Sequence, residues 1–169
     1  MKTKKLILTA LFIAIGIVLP QALHFFGGPT LGSILLPMHL PVFIGAMLLG
    51  PVSGAFIALG SIFVGVLLGM PSILIASYMV FELVVYGLVA GYLHHTKKIN
   101  VFVSYFVAKI LGMAMALGII FLLANLFSVA FPPTFGTITM FAAGIPGIVI
   151  QVFLVPAIVL VLEKRGAVE

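Results

Sequence analysis

The sequence predicts an all-α integral membrane protein of six transmembrane helices with both termini in the cytoplasm. Composition, the spacing of apolar runs and the placement of basic residues carry that expectation. Of 169 residues, 64% are hydrophobic and only 7% charged, and the mean hydropathy is +1.44. A soluble domain is about half apolar and about a quarter charged. So few charges cannot coat a water-facing surface of this size, and the natural solvent is lipid. Cutting at polar and Pro/Gly breaks leaves six apolar segments, roughly 5–23, 38–50, 51–69, 72–94, 99–127 and 137–162, within a single membrane domain over 1–169. Lys2, Lys4 and Lys5 precede the first, Lys97 and Lys98 separate the fourth from the fifth, and Lys164 and Arg165 follow the sixth. Six alternating helices put all of these on one side, while loops 24–37, 69–72 and 128–136 carry no Lys or Arg. The positive-inside rule makes that side cytoplasmic. Five or seven spans would divide the clusters.

A span takes about 20 residues at about 1.5 Å each. The first segment opens MKTKKLILTALFIAIGIVLP. Its basic start and apolar stretch are those of a signal peptide, but Pro20-Gln21 stands where a small-x-small cleavage site belongs, which favours an uncleaved helix. Loop 24–37 is long, and Phe25 and Phe26 within it are placed to cap a cavity. The second segment is short and joins the third through Gly50-Pro51, as a broken or tilted helix or as one arm of a kinked hairpin. The third and fourth fit one span each, and the fifth and sixth are long enough to tilt or protrude. Pro132-Pro133 marks the last outer loop. Small residues recur at helix-packing spacing: Ala10 and Ala14, then Ser61, Gly65 and Gly69, then Gly87 and Gly91. Such stripes let backbones approach closely in lipid, either within the monomer or against a partner.

Two ionisable residues lie deep within the spans. Glu82, in FELVVYG, is ten residues from the outer start of the fourth segment, and Lys109 is ten from the inner start of the fifth. Each is therefore about 15 Å deep, at similar height on neighbouring antiparallel helices. A lone charge there costs about 2.5–3.5 kcal/mol on insertion scales, and intramembrane charge commonly marks a site or pathway. Lys109 is the expected partner of Glu82, either as an ion pair that fixes packing or as the floor of a polar ligand cavity. Tyr78 and Tyr86 flank Glu82 at four-residue spacing on one helical face, as a stripe that grips a flat polar ring or as an interhelical seam. His39, in LPMHLP, stands at the outer entrance of the second segment, facing water or a ligand. Asn125, near the outer end of the fifth segment, and Gln151, midway along the sixth, are amides that need partners in lipid. His94 and His95 are expected to face cytoplasmic water.

Several chemistries lack their parts. The basic residues form short clusters rather than one patch, against nucleic-acid binding. Without cysteine there is no disulfide or thiolate-metal site. No GxxxxGK[ST], HExxH, His/Asp cluster or GxSxG occurs, so neither enzyme activity nor a cofactor or metal is expected.

Three stretches carry a resemblance: Ala10-x-x-x-Ala14, the run LLPMHLPVFIGAMLLGPVSG at 35–54 with its Gly-Pro joint, and FELVVYG. Together with size and topology they resemble the substrate-binding S components of energy-coupling factor (ECF) vitamin transporters, over nearly the whole chain. The resemblance implies capture of one water-soluble vitamin or precursor from outside, docking on a transmembrane coupling protein and two ATPase subunits, and toppling in the bilayer to release it inside. It implies that Ala10 and Ala14 touch the coupling protein and that Glu82 helps form the binding site. Vitamin B6 or a hydroxymethylpyrimidine suits the polar groups best, with pantothenate or niacin behind. Two rivals stand beside this reading: a proton-coupled secondary transporter using Glu82, and a ligand-free membrane scaffold.

Overall fold

A computed structural model of the protein describes residues 2–131, 142 and 144–166. Its helices run in order α1 (Lys2–Leu35), α2 (His39–Leu49), α3 (Pro51–Leu67), α4 (Ile73–Ala90), a π-helical turn (Gly91–Thr96), α5 (Val101–Leu126) and α6 (Ile145–Lys164). Among the described residues there is no strand. Among the described residues, four stretches are long and apolar enough to cross a membrane: Thr3–Gly28, Ile73–Thr96, Val101–Leu126 and Ile145–Lys164. Pro132-Pro133 and the beginning of the sixth apolar segment lie outside the described residues.

The shortest α-helix among the described residues is the centre of the fold. At 11 residues, α2 is about 16 Å long, half of a bilayer core of about 30 Å. Ten of its residues are buried, packed among α1, α3, α4 and α6. A helix apolar on every side belongs inside a bundle. Its sequence HLPVFIGAMLL reads all round as core rather than as one stripe. Gly50 ends it with φ 94° and ψ 173°, and its N–H donates to the Ala46 carbonyl. That backbone is open to glycine and strained for other residues. Pro51 then starts α3 at the first helical position, where its fixed φ and missing N–H cost nothing. The Gly50-Pro51 joint is thus a sharp break between two helices.

The region expected as outer loop 24–37 differs. The helix runs on to Leu35, interrupted at Gly28, with φ 66° and ψ −173°. Pro29 after the break suits a new first turn, and the apolar-polar mixture of 24–35 hides that from a hydropathy cut. Phe25 and Phe26 pack edge-to-face at 5.4 Å and stand 85% and 82% exposed, on the surface rather than over a cavity.

Small residues set the α3–α4 contact. Gly87 lies against the Gly54 backbone and Gly91 against the Gly50-Pro51 peptide, so close that a β-carbon at either would overlap main-chain atoms. On α3, Ser61 faces Gly16 of α1 and its hydroxyl donates to the Ile13 carbonyl at 3.5 Å. Ser61, Gly87 and Gly91 thus serve packing within the chain, whereas Gly69 lies past the end of α3 with nothing within 4 Å of a β-carbon. Ala10 and Ala14, by contrast, are exposed on the outer side of α1.

His94 is not a water-facing residue. It is buried in the π-turn, with Nδ1 2.8 Å from the Ile99 carbonyl and Nε2 3.1 Å from Glu163 Oε1 on α6. It closes the end of the bundle where the α4–α5 connection meets the end of α6.

Candidate functional site

The polar centre is built around Tyr86, which is fully buried. Its hydroxyl donates to Oε1 of Glu82, one turn earlier on α4. Phe43 of α2 stacks on the ring at 4.8 Å and 26°. His39, also on α2, meets it edge-on at 5.4 Å and 80°. The Lys109 ammonium of α5 lies over the ring, 4.7 Å from its centroid. Desolvated, such a cation–π contact is worth about 2 kcal/mol. Gly112, a turn beyond Lys109, lets the ring in: a β-carbon there would collide with Tyr86.

Glu82 and Lys109 come together as expected, on α4 and α5, but not as a contact ion pair; the one ion pair found among the described residues is His94–Glu163. Their charges lie within electrostatic reach of each other, with Tyr86 between them, giving its hydroxyl to the acid and its ring to the amine. Glu82 is 8% and Lys109 5% exposed. The arrangement eases two buried charges while leaving the ammonium without a carboxylate in contact.

His39 is the second departure from expectation. It is 3% exposed, because α2 sinks into the bundle instead of beginning at a water boundary. Among the described residues neither ring nitrogen has a hydrogen-bond partner. A buried polar group left unpaired costs about 1–3 kcal/mol, and imidazole brings two such atoms. Lys109 is within electrostatic reach of this ring too. One carboxylate, one ammonium and one unpaired imidazole therefore converge on Tyr86, and together they offer both hydrogen-bond donors and acceptors.

The remaining candidates spread outward. Tyr78, one turn before Glu82, is buried against Ala116 and Ile120, its ring 6.5 Å from Phe131. Gln151 is fully buried; it donates to the Leu36 carbonyl and accepts from the Tyr105 hydroxyl, both at 3.2 Å. Tyr105 in turn packs on Phe43 at 4.7 Å, so Gln151 supports the site from behind. Asn125 is exposed and donates to Phe121 of its own helix at 2.8 Å, apart from the cluster. Phe43, Tyr105 and Gly112 were not among the residues marked by the sequence. Phe43 and Tyr105 are aromatics in apolar runs, and Gly112 is one glycine among 18; only the FELVVYG–Lys109 height match pointed at their location.

Two surface grooves lie elsewhere. One, of about 610 Å³, runs between α3 and α4 beside Phe56, Phe63, Ile73 and Val80. The other, of about 440 Å³, lies beside Pro51, Leu88, Tyr92 and Leu111. Both are apolar and suit contact with lipid. Among the described residues no group of three or more His, Asp or Glu is placed to hold a metal ion.

A family model described as "ECF transporter, substrate-specific component" matches residues 4–159. No curated protein and no solved structure matches.

Proposed function

The chain belongs to the substrate-specific components of ECF transporters, a family of transport subunits rather than enzymes, and on that premise we propose that it captures a small water-soluble vitamin or precursor at the Glu82–Tyr86–Lys109–His39 cluster. A vitamin B6 form or a hydroxymethylpyrimidine is the favoured substrate, ahead of pantothenate and niacin. The observation that carries the site is His39: two unpaired ring nitrogens, buried beside a carboxylate and an ammonium that do not touch. A ligand that hydrogen-bonds to them removes the cost of leaving them bare. Tyr78 borders the ligand, Gln151 backs the site through Tyr105, and Asn125 belongs to the outer approach.

The protein sits in the cell membrane with both ends cytoplasmic. Lys5 and Lys98 lie within electrostatic reach of His95, and the His94–Glu163 contact brings the α4–α5 turn beside the end of α6. Both support gathering the basic clusters on one side, as the positive-inside rule asks. Delivery inward takes a transmembrane coupling protein and two ATPase subunits. The exposed Ala10 and Ala14 form the docking face, since small residues let a partner helix approach closely. Ala10→Leu with Ala14→Leu is expected to leave ligand binding unchanged while co-purification with the coupling protein and ATPases is lost. Intact complexes in that double variant would move docking to another face.

The binding reading is tested on the chain purified alone in mild detergent from cells grown in rich medium. Denaturation and mass spectrometry are expected to release about one vitamin per chain. A protein that is empty and stays empty after incubation with a vitamin mixture would sink it. Uptake driven by a proton gradient without ATPases, and lost in Glu82→Gln, would establish the secondary transporter instead.

A further inference from the structure

We propose that the Tyr86 cluster selects for net charge: it takes a ligand of zero net charge bearing both donors and acceptors, a neutral or zwitterionic nitrogen heterocycle, and discriminates against vitamin carboxylates and phosphates. The inference rests on the cluster being the ligand site and adds to that reading which kind of vitamin fits.

Around Tyr86 the described residues place one acid, Glu82, and one base, Lys109, both buried. Their charges sum to zero, and the sum stays zero if a proton passes from the ammonium to the carboxylate. Glu163, the other acid among the described residues, is engaged with His94 at the end of the bundle. Apart from Lys109, the neighbours on α2 and α5 carry no fixed charge: Phe43 stacks on Tyr86 and Gly112 abuts it, and His39 as neutral imidazole has one donor and one acceptor nitrogen. A ligand with a whole unpaired charge would bring that charge into a place of low dielectric, where an uncompensated ion is costly.

The layout also fixes polarity. Lys109 can only donate, a carboxylate at Glu82 can only accept, and His39 can do one of each. All three groups surround the Tyr86 ring, so a ligand bridging them must present an acceptor towards the amine and a donor towards the acid over a short span. A ring carrying amino, hydroxyl or ring-nitrogen groups meets this without any net charge.

The test uses the full chain in detergent and four matched pairs that share a scaffold but differ in charge. They are pyridoxine and pyridoxine phosphate, hydroxymethylpyrimidine and its monophosphate, nicotinamide and nicotinate, and panthenol and pantothenate. Binding is measured by isothermal titration. For whichever scaffold binds, the uncharged member is expected to be tighter by about tenfold or more. Glu82→Gln leaves an excess positive charge and is expected to move the ratio towards the anion by about tenfold. Lys109→Met is expected to move it towards the cation 1-methylnicotinamide on the nicotinamide scaffold. A wild-type preference for an anionic member overturns the charge rule while leaving the site reading intact, and needs no variant. Ratios unmoved in both folded variants overturn it equally. If no member of any pair binds the wild-type chain, the vitamin-site reading fails and the charge rule with it.

Discussion

Gly87→Leu is expected to cost the protein its folded state, seen as loss of monodisperse material from detergent extracts or a melting temperature lower by about 10 °C or more. At this position α3 and α4 touch backbone to backbone: a β-carbon would stand 2.6 Å from the Gly54 carbonyl oxygen and 2.9 Å from the Ala55 nitrogen. Main chain cannot swing aside as a flexible side-chain end can, so the helices must part. Overpacking a core commonly costs about 1–3 kcal/mol, and an obstruction met by main chain belongs at or above the top of that range. For a chain of this size each kcal/mol corresponds to about 2–4 °C. Gly118→Ala is the control, since nothing lies within 4 Å of a β-carbon there and alanine is the better helix former by about 1 kcal/mol. A Gly87→Leu protein that melts with the wild type would show that the α3–α4 crossing is looser than described.

The second large effect is a pattern across three proteins. Glu82→Gln removes the charge that attracts Lys109, and Lys109→Met removes the charge that attracts Glu82. Each leaves a buried ion with less compensation, at a cost of about 3 kcal/mol, or about 6–12 °C in melting temperature. Glu82→Gln combined with Lys109→Met removes both ions, and a buried pair replaced by uncharged groups is often neutral or stabilising. The double variant is therefore expected to recover most of the lost stability while failing to bind ligand. Thermal melts of the four proteins, each with and without the released ligand, measure both. Losses that simply add would mean that the two charges do not sense one another across the Tyr86 ring, and the polar centre would have to be described as separate parts.

The helical, lipid-embedded class was legible because it depends on totals and runs, as was the shared height of Glu82 and Lys109, which needs only two residue counts and antiparallel neighbours. His39 was misplaced for a physical reason. A polar residue at the start of a short apolar run reads as a boundary with water, whereas this run begins inside the bundle and every face of α2 is covered by other helices. The outer loop expected over 24–37 misled in the same way: the Gly28-Pro29 pair within it marks a break in hydrogen bonding, and a break need not be a loop. Tyr86 was legible as a neighbour of Glu82 but not as its spacer from Lys109, since a ring's position depends on the room left by Gly112 on another helix. The exposure of Ala10 and Ala14 could not be distinguished by spacing from the buried Gly87 and Gly91.

The chain has four tyrosines and no tryptophan. Three of them, Tyr78, Tyr86 and Tyr105, are buried, and they are on or beside the polar centre, while Tyr92 stands in the π-turn 48% exposed. The near-ultraviolet absorption of the unlabelled protein therefore comes mostly from tyrosines on or beside the polar centre, with no indole signal to drown it. Tyr86 has a carboxylate at its hydroxyl and an ammonium over its ring, and both perturb the phenol chromophore. The molecule thus carries an intrinsic optical reporter in its polar centre, usable in lipid as well as in detergent.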